Sequence, residues 1–331
     1  MQEKILKICQ SAVPQWKGLT VSDFDFDDPK GFSSFTMGVR CKRKITPQAM
    51  LYRQLEGKEN AILEFETEKE VFLLLGDQKI AAFCPYYDGQ CRIESFYQGH
   101  SLEAEELFDK SNLKQIADQL YKFHQIKPDN LPEKGFFELI REKWTPIAKK
   151  VLFEDLEDFP DNEQEMCIAL RELFEESTIE KVKSCLPNEA MTFCHNDTYH
   201  GNIFKLDTGE VKLLDFEFSC LSHKAYDFSN LFAETVMEHK LEEYPFFKIN
   251  EPRYGDKELS LLIGYYLDNA DFSTEGEREK EASKLLSQAK KLTKLSDYKY
   301  AMAAVTLAID PIQNIRFIPY AYQRFMKFKN A

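Results

Sequence analysis

The sequence predicts an α+β fold in which a small, β-rich amino-terminal lobe, residues 1–98, precedes a larger and mostly helical lobe, residues 99–331. Three observations carry this prediction. Short extended segments are frequent before Gly99, helical patterns dominate after it, and one hairpin pattern over residues 199–218 interrupts the helical part. The 331 residues, of which 43% are hydrophobic, are enough to bury a core in two subdomains.

The amino-terminal lobe is predicted to mix helices and strands. A helix is expected over residues 3–13 and a second one over residues 64–75. The extended segments are predicted at residues 19–26, 34–42, 80–84 and 91–97.

The second lobe shows the periodicity of amphipathic helices. Ser111 is a good N-cap for the first of these helices. One apolar stripe then repeats at three- and four-residue steps, through Leu113, Ile116, Leu120 and Phe123. Residues 165–185 and 255–300 are also predicted to be helical.

Composition excludes several classes of protein. The apolar content is too high for a disordered chain, and no apolar run approaches the roughly 18–20 residues of a membrane span. The first ten residues, MQEKILKICQ, are charged and lack the apolar region of a secretory signal. We therefore expect no stable membrane insertion.

Charge and cysteine usage narrow the choice further. The net charge of −13 disfavours nucleic acid as a partner and suits a cationic substrate, or alternatively serves only solubility. The eight cysteines form no C-x-x-C pair and no zinc spacing, which predicts free thiols in a reducing, cytoplasmic compartment.

The most informative stretch reads FCHNDTYHGN over residues 193–202 and is followed by LLDFE over residues 213–217. The D-x-x-x-x-N spacing alone is a weak signal, but a hairpin between the two segments makes it specific. If Thr208 and Gly209 form a two-residue loop, Leu206 opposes Val211 and Asn202 opposes Asp215. A one-residue slip would still leave Asn202 and Asp215 neighbours.

This hairpin brings an amide oxygen and a carboxylate side by side, which is a donor set suited to Mg²⁺. Asp197 lies five residues before Asn202 and can orient a hydroxyl and accept its proton during phosphoryl transfer. The alternative is structural: Asp197 and Asn202 would cap loops, and Asp215 would be a turn residue.

The motifs FCHNDxxxGNIF and LLDFEF resemble those of choline/ethanolamine kinases. Three further segments are similar to that family, and the resemblance covers roughly residues 25–329. These segments are residues 225–234, 243–247 and 320–325. The resemblance implies a bilobal protein-kinase-like fold and ATP-dependent phosphorylation of ethanolamine or choline. This reaction is the first step of phosphatidylethanolamine and phosphatidylcholine synthesis by the CDP-alcohol route.

The resemblance also implies roles for individual residues. Asp197 corresponds to the catalytic base, Asn202 and Asp215 to the Mg²⁺ ligands, and Glu217 to a residue that contacts metal or substrate. His195 either orients the catalytic loop or only packs. Asp227 is expected to be a buried N-cap rather than a catalyst.

For ATP, the resemblance implies a phosphate loop at residues 30–34 in which one of the family's glycines is missing, although an ordinary glycine turn is the alternative. Arg53 corresponds to the family's phosphate-binding cation, with Glu68 as its carboxylate partner and Glu70 as second choice. The implied hinge strand meets adenine with backbone groups. The remaining implied ATP-binding residues are Gly31, Ser33, Ser34, Glu94, Ser95, Phe96 and Tyr97.

For the amine, family members use carboxylates and aromatic faces. Glu234 matches the acidic position, but Tyr300 and Ala303 stand where a tryptophan pair is usual, and His239 replaces a tyrosine. This weakened cage favours ethanolamine, which can donate hydrogen bonds, and leaves choline open. The implied substrate-binding residues are Glu217, Glu234, His239, Tyr300 and Tyr320.

Two other functions stay open. The chain resembles, more distantly, kinases of the same superfamily that act on an aminoglycoside, a sugar or homoserine. Alternatively, it is a catalytically inactive kinase-like binding protein. The sequence also leaves the oligomeric state open, including a homodimer.

Overall fold

The computed structural model describes residues 1–28, 35–55, 61–154, 156–239, 242–245, 247–251, 253–308 and 316–330. The chain folds into two compact units. The first comprises Met1–His100 together with Leu206–Thr208, and the second comprises Ser101–Lys205 together with Gly209–Ala331.

The first unit is built on an antiparallel sheet. Its elements are α1 (Gln2–Ala12), β1 (Phe24–Phe26), β2 (Thr36–Cys41), β3 (Ala49–Gln54), α2 (Phe65–Asp77), β4 (Tyr86–Tyr87) and β5 (Cys91–Ser95). The five strands are ordered β1-β2-β3-β5-β4. Apolar residues of α1, among them Leu6 and Cys9, are buried with Trp16 and Val39 in the core of this unit. A short strand, β6 (Gly99–Ser101), follows at the boundary of the two units.

One predicted strand of the first unit, residues 80–84, is wrong. The chain instead turns back at the end of α2, where the N–H groups of Ile80 and Ala81 both donate to the carbonyl of Leu75, at 2.9 and 3.1 Å. Ile80 and Ala81 are each 3% exposed. The apolar run therefore reflects a buried turn that caps a helix, and burial alone does not require strand pairing.

The second unit is mostly helical. Its elements are α3 (Lys110–His124), α4 (Phe136–Lys149), α5 (Asp161–Leu170), α6 (Glu176–Cys185), β7 (Thr192–Cys194), β8 (Ile203–Leu206), β9 (Val211–Leu213), β10 (Cys220–Ser222), α7 (Lys224–Ala233), β11 (Met237–His239), β12 (Phe247–Ile249), α8 (Asp256–Leu267), α9 (Glu275–Leu307) and α10 (Phe317–Asn330). The long helix α9 packs against α4, α7, α8 and α10. Every residue of α7 from Ala225 to Ala233 is buried.

Helix boundaries differ from the predictions in two ways. The N-cap of α3 is Asp109 rather than Ser111, because the Asp109 carboxylate accepts the N–H groups of Ser111 and Asn112 at 2.8 and 3.1 Å. The predicted helices over residues 165–185 and 255–300 are each two helices. A 3₁₀ turn, Arg171–Phe174, separates α5 from α6, and Thr274 caps a new start at α9.

The hairpin of β8 and β9 is present, but its register is shifted by one residue from the predicted one. Lys205 opposes Val211 and Ile203 opposes Leu213. The connection is longer than the two predicted loop residues, and Gly209 adopts a φ of +87°, a backbone conformation that glycine reaches at little cost. The predicted adjacency of Asn202 and Asp215 survives this slip.

Two further features concern the cysteines and the apolar character of the helices. All eight cysteines are unpaired, as expected for free thiols. Within the described ranges, no helix has both the length and the apolar character that crossing a bilayer requires.

Candidate active site

The loop between β7 and β8 is anchored by Asp227 of α7. The Asp227 carboxylate accepts the backbone N–H groups of His195 and Asn196 at 2.8 and 2.7 Å, and it also accepts Nε2–H of His124 at 3.0 Å. The hydroxyl of Thr198 donates to the Asp227 carbonyl at 2.6 Å. Asp227 lies inside α7, whose N-cap is His223, so it organises the loop and does not cap its own helix as predicted.

Asn196 gives the loop its sharp turn. Its φ of 64° lies in the left-handed region, which asparagine tolerates better than most residues. Its side-chain amide donates to the carbonyls of Cys194 and Phe218 at 3.2 and 3.0 Å. These bonds fix the direction in which the chain continues to Asp197.

His195 both packs and orients the loop. Its ring accepts the N–H of Asp197 at Nδ1, at 3.3 Å, so Nε2 carries the proton and donates to the carbonyl of Leu214 at 2.8 Å. The residue is fully buried. His195 therefore links the Asp197 loop to the segment that carries Asp215.

Asp197 and Asn202 are in direct contact. The side-chain amide of Asn202 donates to Oδ2 of Asp197 at 2.9 Å and to its backbone carbonyl at 3.0 Å. Both amide protons are thereby directed towards Asp197, which leaves the Asn202 carbonyl oxygen as an acceptor for another partner. Asp197 itself is only 9% exposed.

Asp215 lies next to Asn202 because a backbone hydrogen bond joins the two segments. The N–H of Leu214 donates to the carbonyl of Asn202 at 2.8 Å, and Asp215 is the next residue, with a left-handed φ of 61°. Such a conformation is uncommon for a residue with a side chain and is found most often at functional positions. An amide oxygen beside a carboxylate fits the hard-oxygen donor set that Mg²⁺ requires.

Tyr199 lies among the acidic residues of this region. Burial raises the pKa of its hydroxyl, and four nearby carboxylates raise it further, namely Asp197, Asp215, Glu234 and Glu217. A Cβ at Gly201 would come within 2.5 Å of the Tyr199 ring, so this position has no room for a larger residue. The negative charges of Glu217 and Glu234 thus act on the same tyrosine hydroxyl as those of Asp197 and Asp215.

Glu234 is the C-cap residue of α7, and its carboxylate is paired with a buried cation. Arg324 of α10, which has no exposed surface, pairs with Glu234 and also donates to Asp297 at 2.8 Å. The Tyr320 hydroxyl donates to Glu234 at 3.3 Å and accepts Nε–H of Arg324 at 3.1 Å. Glu234 and Tyr320, both predicted to bind substrate, therefore contact each other and share Arg324 as a partner.

Asp197 also pairs with a lysine. Lys299 of α9 donates to Oδ1 of Asp197, and the hydroxyl of the neighbouring Tyr300 lies 3.5 Å from the same oxygen. The ammonium of Lys299 lies 4.3 Å from the Tyr300 ring centroid and 5.1 Å from that of Phe218. The structure thus brings Tyr300, which was predicted to bind substrate, close to Asp197, together with Lys299.

The sequence interpretation missed Lys299, although a signal was present. Leu292, Leu295 and Met302 continue one buried face of α9, and Lys299 falls on that face at the same three- and four-residue spacing. A lysine within an apolar stripe requires a buried counter-ion, which is itself a pointer to a site.

For the next two residues considered for the substrate site, the structure gives the position in the fold but no side-chain contact. His239 ends β11, where it is paired with Phe247 of β12, and its side chain lies outside the described structure. Ala303 lies one turn after Tyr300 on α9 and is half-buried.

In the first unit, Arg53 lies on β3 opposite Arg92 of β5, and both arginines meet one carboxylate. Glu94 lies 3.3 Å from Nε of Arg53 and accepts Nε–H of Arg92 at 2.5 Å. Glu68 of α2 lies 3.8 Å from Arg92. The Glu94 side chain is thus part of an ion-pair cluster within the hinge strand.

The rest of the predicted hinge continues from this cluster. The N–H of Ser95 donates to the carbonyl of Phe83 at 2.8 Å. The Phe96 ring lies 4.5 Å from the Arg40 guanidinium, and Tyr97 is half-buried. The predicted phosphate-loop residues lie outside the described part of the chain, namely Gly31, Ser33 and Ser34.

Comparison with solved structures defines the class of fold. The choline kinase of Cryptosporidium parvum Iowa II aligns with a TM-score of 0.78 at 20% identity, covering 100% of this chain and 95% of that one. The Plasmodium vivax ethanolamine kinase aligns with a TM-score of 0.69 at 21% identity, covering 97% and 87% of the two chains. The chain has the α+β fold of protein-kinase-like phosphotransferases.

Sequence comparison defines the family. The family model for choline/ethanolamine kinase matches residues 30–329. Choline kinase alpha of Mus musculus is 25% identical over 302 residues, which are 86% of this chain and 64% of that protein, so the chain spans just under two thirds of this relative's length. The chain belongs to the choline/ethanolamine kinase family.

Proposed function

We propose that the chain is an ATP-dependent kinase that phosphorylates the hydroxyl of a small amino alcohol, ethanolamine or choline. In a cell this reaction is the first step of phospholipid synthesis by the CDP-alcohol route. The observation that carries the proposal is the contact between Asp197 and Asn202 beside Asp215, supported by family membership.

Asp197 is assigned as the general base. Its Oδ1 would accept the proton of the substrate hydroxyl while the hydroxyl oxygen attacks the terminal phosphorus of ATP and ADP leaves. The hydrogen bond from Asn202 holds Oδ2, and Oδ1, which the Lys299 ammonium also contacts, is the oxygen that would take the substrate proton. This positioning matters because phosphoryl transfer depends mainly on alignment and charge stabilisation.

Asn202 and Asp215 are assigned as the residues that would hold Mg²⁺. When bound, the ion neutralises phosphate charge. His195 positions the two segments through the Leu214 carbonyl. Glu217 is assigned to metal or substrate contact because it lies among the same carboxylates around Tyr199.

ATP binding is assigned to the first unit and catalysis with substrate binding to the second. Arg53 would contact phosphate, with Glu68 as its predicted partner, and the backbone around Ser95 would meet adenine. The Arg53, Arg92 and Glu94 cluster supports this because it holds the half-buried Arg53 guanidinium on β3, the strand that pairs with β5. A cytoplasmic location belongs to the same proposal.

The test is ATP turnover against a panel of alcohols: ethanolamine, choline, an aminoglycoside, a sugar and homoserine. Phosphorylation of ethanolamine or choline with a kcat/KM well above that of the others is the expected result. Preference for another class would replace the substrate assignment. Absence of turnover with all of them would leave an inactive binding protein.

The metal site yields a testable prediction. Asp215→Asn is expected to raise the Mg²⁺ concentration for half-maximal activity by about tenfold, since the ligand set loses its charge, and Asn202→Ala is expected to raise it less. In a double-mutant cycle the two losses should be strongly non-additive because both residues serve one ion. Additive losses would show that they do not share a metal.

A second prediction concerns the amine. Ethanolamine is expected to be used at least as well as choline, because a primary ammonium can donate charge-assisted hydrogen bonds. A trimethylammonium relies on ring faces worth about 0.5–2 kcal/mol each. The measurement is kcat/KM for both amines at saturating Mg-ATP. A choline value about tenfold above that of ethanolamine would refute the prediction, and Ala303→Trp should shift the ratio towards choline.

A further inference from the structure

Lys299 occupies the kind of position that a cationic substrate would need. Its side chain is 1% exposed, and its ammonium contacts Oδ1 of Asp197. The rings of Tyr300 and Phe218 flank the ammonium at 4.3 and 5.1 Å. A carboxylate with two aromatic faces is a cage for an alkylammonium ion, and here the cage holds the chain's own cation.

Glu234, the acidic residue assigned to the amine, is balanced in the same way as Asp197. Glu234 pairs with the buried Arg324, which also binds Asp297. The catalytic carboxylate Asp197 and the amine-site carboxylate Glu234 therefore each have an internal positive partner. An incoming cation meets much less unbalanced negative charge here than the net charge of −13 would suggest.

We propose that Lys299 sets the charge preference of the substrate site. Its ammonium takes the cation position beside Asp197, so the site selects against alcohols that carry a permanent positive charge. The preferred substrates are small alcohols whose other end is neutral or is a primary amine. This inference rests on the proposed function, because it assumes that Asp197 faces the substrate hydroxyl.

The chemistry of the two amines explains the selection. A primary ammonium can donate hydrogen bonds to carboxylate oxygens, or release its proton and accept one from the Lys299 ammonium, whereas a trimethylammonium can do neither. Two like charges held about 5 Å apart in a partly buried site repel strongly enough to reduce binding on the order of tenfold to a hundredfold. Quaternary choline therefore meets the Lys299 charge with no hydrogen bond to offset it, while the Asp197 charge that would attract it is already paired.

The test compares choline with its uncharged carbon isostere, 3,3-dimethylbutan-1-ol. Both compounds present the same hydroxyl, so any effect of a variant on Asp197 as base cancels in the ratio of their kcat/KM values. In Lys299→Met the ratio of choline to isostere is expected to rise by about tenfold or more. In Lys299→Arg, which keeps the charge, the ratio should stay low.

Lys290→Met is the matched control. Lys290 lies on the same helix, is 52% exposed, and pairs with Asp256 at 2.7 Å, so its removal deletes the same charge outside the site. Its ratio is expected to stay within about twofold of the parent chain because solvent screens exposed charges. An equal rise in Lys290→Met and Lys299→Met would overturn the proposal.

Two further outcomes separate this proposal from the proposed function. A parent chain that already prefers choline to the isostere by about a hundredfold would show that Lys299 does not set the charge preference. A ratio left unchanged by Lys299→Met would show the same. In both cases the kinase assignment stands. If no alcohol is phosphorylated, the proposed function fails. The same ratio is then measured as dissociation constants by calorimetry with Mg-ADP present, and a ratio that Lys299→Met does not raise rejects the role of Lys299.

Discussion

Asp197→Asn is expected to lower kcat by about 10²–10⁴-fold, the typical loss when a positioned proton acceptor is removed. An amide keeps the size of the carboxylate and an oxygen that can accept from Asn202, but it cannot take the hydroxyl proton. The measurement is steady-state turnover of the best alcohol at saturating Mg-ATP. Retention of more than about a tenth of the parent kcat would show that Asp197 is not the base.

The stability of this variant needs its own control because Asp197 also balances Lys299. Removing one partner of a buried ion pair typically costs about 3–5 kcal/mol. Adding Lys299→Met to Asp197→Asn removes the stranded charge and should recover part of the free energy of unfolding, but it should not recover kcat. If kcat returned together with stability, the role of Asp197 would be structural.

Asp227→Ala is expected to have the largest effect on folding. It would leave the N–H groups of His195 and Asn196 and the Nε2–H of His124 without their acceptor in a fully buried place. Each buried unsatisfied donor costs about 1–3 kcal/mol, so the loss of the acceptor of all three should lower the free energy of unfolding by roughly 3–9 kcal/mol. Denaturant unfolding followed by circular dichroism measures this change.

The matched control for Asp227 is Asp268→Ala. Asp268 is 51% exposed and pairs with Arg278 at 2.7 Å on the surface. Its loss should cost no more than about 1 kcal/mol, as is usual for exposed ion pairs. Comparable losses in the two variants would mean that the buried network around Asp227 does not hold the loop.

The predictable part of the site consists of residues that lie close together in the sequence. Asp197, Asn202 and Asp215 lie within one loop and one hairpin, so chain geometry alone keeps them close even after the register shifted by one residue. The shift in strand register depends on the turn at Gly209. Loops of more than one length can contain a glycine with a positive φ, so the sequence does not fix the length of this loop. Sequence patterns specify such turns less firmly than they specify the alternation of strands.

Sequence patterns could not predict the contacts between segments that are distant in the chain. Lys299 meets Asp197 across 102 positions, and Arg324 meets Glu234 across 90, so both pairs depend on how α9 packs against α7 and α10. The N-cap at Asp109 shows a local failure, since Asp109 and Ser111 are both good caps and only the observed backbone decides between them.

The separation of these charge pairs along the chain has a consequence for folding kinetics. Pairs that close long loops form only after the helices that carry them have docked, because the entropy of closure has to be overcome first. The Lys299 and Arg324 pairs are therefore expected to be absent from the folding transition state. They would act mainly on the unfolding rate, so the charges that shape the substrate site also lengthen the lifetime of the native state.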